Sequence, residues 1–167
     1  MHLMVDLETL ATTPDAAILT IGACKFDPYG KTITDQFYER IDLDSQNRHI
    51  DENTIEWWSK QDKKIQEDAF GEGGRIKLSE AMKKLYRFGL GTKNIWSHGS
   101  IFDVVILENV ASSLQQGVTW NFWEIRDTRT LFDIANVEVQ VEGKHNALAD
   151  ATAQSYAVQK AYRVLLH

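Results

Sequence analysis

Hydrophobic and polar positions in the first forty residues follow the two-residue period of strands. "HLMVDLE" carries Leu3, Val5 and Leu7 on one face, "AAILTIGACKF" is almost continuously apolar, and "ITDQFYERI" mixes apolar and polar positions. Such runs predict three β-strands. "TTPD" (Thr12 to Asp15) and "FDPYGK" separate them, and proline and glycine so close together favour turns. Short turns between consecutive strands predict an antiparallel meander.

The period then lengthens. "DENTIEWWSKQ" opens with an N-cap residue, Asp51, and sets Ile55, Trp58, Asp62 and Ile65 at helical spacing. After the loop "GEGG", Leu78, Met82, Leu85 and Tyr86 mark an amphipathic helix that stops at Gly89. A short strand "NIWSH" leads into a helix from about Ile101 to Gln115, and "TWNFWEIR" reads as another short strand. Asp127 caps the helix "TRTLFDIA", and a last helix runs from about Ala147 to Leu166. Three strands, then strands alternating with helices, predict an α/β fold: a mixed sheet, antiparallel then parallel, flanked by helices. With no repeat, linker or low-complexity stretch, residues 1–167 read as a single domain.

Composition narrows the class. At 43% hydrophobic and 25% charged residues, the chain is that of a soluble globular protein. No apolar run reaches the roughly 20 residues that span a bilayer. "MHLMVDLETL" has neither a basic leader nor a cleavage site, and Cys24, the single cysteine, reads as a buried strand residue. A cytoplasmic protein is the expectation. A net charge of −6 argues against coating nucleic acid through a broad basic face. It leaves room for an enzyme that grips one strand end at a metal site, where bound cations invert the local sign.

The acidic residues suggest such a site. Asp6 and Glu8 are two residues apart on the first strand and so share a face. Asp103, in "SHGSIFD", falls in the first turn of a helix, where it would also favour the helix dipole. Asp150 projects from a helix start among Ala147, Ala149 and Ala151, whose small size lets that helix pack close to a sheet. Each acid alone reads as an ordinary solvated carboxylate. Together, four carboxylates suit a pair of hard divalent cations, Mg²⁺ or Mn²⁺, able to activate water and stabilise the leaving oxygen of a phosphodiester. His145 supplies a base. On an ideal helix, His145 and Asp150 would point about 140° apart. A flexible "VEGKHN" approach would instead let His145 swing across the metals while Asp150 stays fixed.

The combination "DLE", "SHGSIFD" and "HNALAD" strongly resembles the DEDDh branch of the DnaQ-like 3′–5′ exonucleases. "TIEWWSKQ", "RDTRTLFDIA" and "HNALADATAQSYAVQ" are similar to DexA-type phage exonucleases and to related small bacterial exoribonucleases. The resemblance runs over nearly the whole chain and implies a ribonuclease-H-like fold. It further implies that Asp6 bridges two ions, Glu8 and Asp150 complete the shell of the first ion, Asp103 holds the second ion through water, and His145 is the base. "DLETLATTPDAAIL" departs from the Thr-Gly continuation of proofreading exonucleases, which argues against a polymerase proofreading subunit.

Around these residues, Thr9 and Leu10 are candidates for a backbone contact and an apolar wedge at the terminal nucleotide. His98 and Phe102 are placed near substrate, although an aromatic ahead of a helix is more often core. Trp58 shares the Ile55/Ile65 stripe and is expected to be buried, leaving Trp57 for strand stacking or a subunit contact. Trp120 and Trp123 read as packing; Arg126 and Arg129 flank Asp127 and are able to bind phosphate, with salt bridges within the fold the expected use. The expected activity is two-metal-dependent 3′–5′ release of 5′-mononucleotides from single-stranded DNA ends, its rate rising from pH 6 to pH 8 with a histidine base. An exoribonuclease on RNA 3′ ends is the first rival, and a non-catalytic end-binding protein the second. The family likeness makes a homodimer plausible.

Overall fold

The computed structural model describes residues 1–167. Strands β1 (His2–Thr9), β2 (Ile18–Phe26) and β3 (Ile33–Ile41) form the antiparallel meander, with Asp6 opposite Gly22 and Ala23 opposite Phe37. Three short strands, β4 (Arg75–Ile76), β5 (Ile95–Ser97) and β6 (Ile125–Asp127), complete a six-stranded sheet in the order β4-β3-β2-β1-β5-β6. β4 runs parallel to β3, β5 to β1, and β6 to β5. This is the mixed, ribonuclease-H-like sheet expected from the sequence.

β1 is central, and its two faces belong to different cores. Leu3, Val5 and Leu7 pack with α3 (Leu78–Gly89) and α4 (Asp103–Ser113) through Leu78, Met82, Leu85, Val104, Leu107 and Val110. Each such burial contributes about 1.5–3 kcal/mol. Met4 points the other way, into a cluster with Cys24, Phe26 and Trp96. That cluster also takes in Phe132 of α5 (Thr128–Ala135) and Ala151, Val158 and Ala161 of α6 (Ala147–Leu165). By the two-residue period, Asp6 and Glu8 lie on the Met4 side, under α6. Glycine is required opposite Asp6. A Cβ on Gly22 would overlap the backbone of Ala147 and Leu148, so α6 begins in direct contact with β2. Ala147 and Ala151 are fully buried at this contact, while Ala149 is only partly covered.

Several elements differ from expectation. The stripe through Ile55, Trp58, Asp62 and Ile65 is split between α1 (Glu52–Ser59) and α2 (Lys63–Phe70). The Gln66 side-chain amide reaches back to the carbonyls of Trp58, Ser59 and Gln61, satisfying the end of α1 and stabilising the break. Ile55 is accordingly exposed, as is Tyr86 on α3. Of "TWNFWEIR", only Ile125 onward is strand. Phe122–Glu124 form a 3-10 turn held by a reciprocal box between Asn121 and Glu124. Trp120 packs against the core and donates to Glu108 at 2.9 Å, but Trp123 is 62% exposed. β4 has no hydrophobic signature. It is held by Arg75, whose guanidinium donates to the carbonyls of Leu19, Ile41, Ala69 and Gly71. No helix is long and apolar enough to cross a membrane.

Candidate active site

The C-terminal ends of β1 and β5 meet the N-termini of α4 and α6 at one edge of the sheet. β1 supplies Asp6 and Glu8. α4 supplies Asp103, whose carboxylate accepts the Leu7 backbone N–H at 3.0 Å, tying that helix to the first strand. α6 supplies Asp150 in its first turn, after the Asn146 side chain caps the helix by accepting from Ala149 N–H. Ligand oxygens of Asp6, Glu8 and Asp150 lie within 4.8 Å of one another, and Asp103 shares their cavity of about 500 Å³.

No lysine or arginine forms an ion pair with these acids; the ion pairs of the protein are Lys60–Glu56, Lys84–Glu39 and Lys84–Glu80. Their carboxyls therefore resist ionisation. Burial, followed by repulsion from Asp103, Glu8 and Asp150, pushes Asp6 well above the ordinary carboxylate range, against a hydrogen bond from Gln154. Burial and the charges of Asp150 and Asp103 push Glu8 up to about 8. Asp103 rises to about 7 by burial, opposed by its Leu7 hydrogen bond, and Asp150 to about 6 by burial, opposed by the His145 N–H. An all-oxygen donor set that repels itself when empty is what a hard divalent cation relieves.

Gln154, one helical turn beyond Asp150, gives a second sign of fit. Its amide nitrogen donates to Asp6 at 3.2 Å, while its amide oxygen is buried without a hydrogen-bond partner at the same cavity. A water in a cation's shell would satisfy that oxygen. Sequence reasoning missed Gln154; its spacing of four residues from Asp150, on the same helix face, was the available signal.

His145 lines the cavity with the four acids. It is docked rather than free to swing. Its backbone, at φ 65°, donates N–H to Asp150 Oδ2 at 3.1 Å, and its ring stands edge-on to Trp57 at 4.9 Å and to Trp58 at 6.4 Å. Trp58 is itself pinned by an Nε1 hydrogen bond to the Thr9 carbonyl at 2.9 Å and by an edge contact with Phe70. Burial first, and Lys144 second, hold the His145 ring below the ordinary histidine pKa.

The other candidates divide. His98 and Phe102 line the acidic cavity; His98 Nδ1 shares a 2.8 Å hydrogen bond with the Thr128 hydroxyl, and its ring stacks on Phe132. Thr9, Trp57 and Phe102 line a neighbouring cavity of about 440 Å³, which shares Leu7 and Glu8 with the first. Its lining is the more aromatic of the two. Leu10 lines neither cavity. It is 1% exposed and packs with Ala17, Leu19, Trp58 and Ala69, so it cannot act as an apolar wedge without leaving the core. Arg126 and Arg129 form no salt bridge; Arg126 donates to the Trp123 and Ile125 carbonyls, and Arg129 lines the acidic cavity.

The chain is similar to several known proteins. An exodeoxyribonuclease of Enterobacteria phage T4 is 26% identical, the match covering 76% of this chain and 68% of the phage protein. The nuclease domain of 3′hExo, a DEDDh family member bound to rAMP, superposes with a TM-score of 0.62 at 14% identity, over 96% of this chain and 90% of that domain. The zinc-bound E. coli exonuclease I–ssDNA complex superposes at 0.69 and 12% identity, over 97% of this chain and 40% of its own. At such identities the structural likeness is one of fold. Residues 1–162 match the family of Rv2179c-like 3′–5′ exoribonuclease domains. The chain belongs to that family and is a DnaQ-like 3′–5′ exonuclease.

Proposed function

We propose that the protein, as a single domain, removes 5′-mononucleotides one at a time from single-stranded 3′ ends with the help of two divalent cations. The observation that carries this reading is the convergence of Asp6, Glu8, Asp103, Asp150 and His145 on one cavity. Asp6, Glu8 and Asp150 would hold one cation, with Asp6 shared and Asp103 serving the second. When bound, the cations activate water and stabilise charge at the phosphodiester, Mg²⁺ and Mn²⁺ both suiting oxygen donors. His145 accepts the proton of the attacking water as its oxygen bonds to phosphorus and the bond to the 3′-oxygen of the remaining strand breaks. The adjoining cavity, between Trp57, Thr9 and Phe102, offers the terminal nucleoside aromatic surface beside Glu8.

RNA is our first reading of the strand, supported by the match to an exoribonuclease family over residues 1–162. DNA is the second, supported by the likeness to the phage T4 exodeoxyribonuclease and by the sequence expectation above. The test is a time course on two 5′-labelled single strands of matched sequence, one RNA and one DNA, with Mg²⁺, Mn²⁺ or EDTA. The expected result is a metal-dependent ladder shortening from the 3′ end, faster on RNA. Faster loss of DNA would reverse the strand preference. Binding of both without shortening would replace the enzyme reading with that of an end-binding protein.

A further inference from the structure

Arg129 is a cation without a partner in an acidic cavity. It sits in the first turn of α5, where its own backbone N–H is fixed by Asp127 Oδ1 at 2.9 Å. Asp127 could have been its counter-ion, but the other oxygen of that carboxylate is taken by the Ser100 backbone N–H at 2.8 Å and the Ser100 hydroxyl at 3.3 Å. The guanidinium lies instead over Gly99: a Cβ built there would come within 3.0 Å of Nη1. Gly99 has φ 107°, a conformation that glycine adopts most readily, and it has no side chain to push the arginine aside. Held there, Arg129 brings its charge to the cavity that Asp103 and His98 also line.

Its position relative to the acids gives it a role. Arg129 lines the acidic cavity with His98, Val139 and Val141, and does not line the adjoining cavity of Trp57 and Thr9. If the terminal nucleoside occupies the Trp57 side and the scissile phosphate the carboxylates, the strand leaves past Arg129. The next negative charge on that strand is the phosphate one linkage to the 5′ side. We infer that Arg129 is a substrate-positioning residue that binds this phosphate, so that the enzyme reads the charge of the linkage behind the one it cuts. The inference rests on the exonuclease reading above. A planar guanidinium, with its paired donors, suits phosphate oxygens better than a lysine would.

The experiment compares first-cleavage rates, under single-turnover conditions at low salt, on two 5′-labelled strands. One is native; the other carries a single uncharged methylphosphonate immediately 5′ of the scissile bond. The wild-type enzyme is expected to cut the native strand about tenfold faster or more, the scale of one charge-assisted hydrogen bond. In Arg129→Ala that ratio is expected to fall to within about twofold, because the contact is already missing. Arg129→Lys should restore part of it, and Lys144→Ala, which removes the cavity's other cation, should keep it. A merely structural arginine would slow both strands equally and leave the ratio intact, and that result overturns the inference. Arg129→Gln, checked by circular dichroism, replaces the alanine variant if the latter does not fold. Failure of the wild type to shorten the native strand would refute the exonuclease reading itself. Shortening without discrimination would refute only the role of Arg129.

Discussion

Replacing Glu8 by glutamine should make the metal-free protein more stable at alkaline pH, although the substitution removes a metal ligand. Glu8 is held at about 8 against an ordinary value of 4.5, first by burial and then by the charges of Asp150 and Asp103. Below pH 4.5 both the folded and the unfolded chain carry the proton, and the shift has no effect. As pH rises from 4.5 to 8 the unfolded chain releases the proton and the folded chain retains it, so folding stability falls, and the loss is complete above 8. At about 1.4 kcal/mol per unit, a displacement of that size corresponds to a ceiling of roughly 5 kcal/mol. The neighbouring acids share the repulsion and the amide still has to be desolvated, so about 2 kcal/mol is the expected gain at pH 8.5. For a domain of this size that is roughly 4–8 °C in Tm. Thermal melts of Glu8→Gln and wild type in EDTA, from pH 5 to pH 8.5, should diverge progressively with pH. Adding Mg²⁺ should invert the order, because only the wild type gains full cation binding. Parallel melting curves in EDTA, or a variant less stable at pH 8.5, would refute the account of a self-repelling cluster.

Three further outcomes are expected. Asp6→Ala should abolish strand shortening while keeping a cooperative melt in EDTA; retained activity or an unfolded chain would contradict its place at the shared carboxylate. His145→Ala should bind strand and metal but lose about 10²–10⁴ in rate, and the wild-type rate should fall only as pH drops below the ordinary histidine range, because the ring's pKa is lowered. A variant keeping that acid limb would show that another group titrates. Gly22→Ala should cost about 1–3 kcal/mol in stability, as overpacking does, and weaken metal binding further by displacing the start of α6; calorimetric Mn²⁺ titration of the variant reads both effects.

The features legible in the sequence are those with a local signature. The strand period placed Asp6 and Glu8 on one face, and the small residues around Asp150 placed it at a close helix–sheet contact. The features that escaped depend on tertiary partners. Nothing near residue 62 announces that Gln66 will fold back on the carbonyls of α1. Nor does "WW" reveal that both rings will face His145, since that contact joins α1 to the approach to α6. Leu10 looked available because it follows the acids; it is buried because the chain turns inward there, onto Trp58. For Arg129 a salt bridge was preferred to phosphate binding because Asp127 is its neighbour in sequence, yet the backbone and hydroxyl of Ser100 engage that carboxylate.

The contact between Gly22 and the first residues of α6 also joins two distant parts of the chain into one site. β1 and β2 can pair as soon as both have left the ribosome, but they bring only Asp6 and Glu8 to the sheet edge. Asp150 and His145 arrive when α6 docks, one of the longest-range contacts in the chain and among the costliest in loop-closure entropy. A partly folded chain with β1 and β2 paired and α6 undocked therefore holds only part of the acidic cluster. The full set of acids and His145 comes together only with that docking.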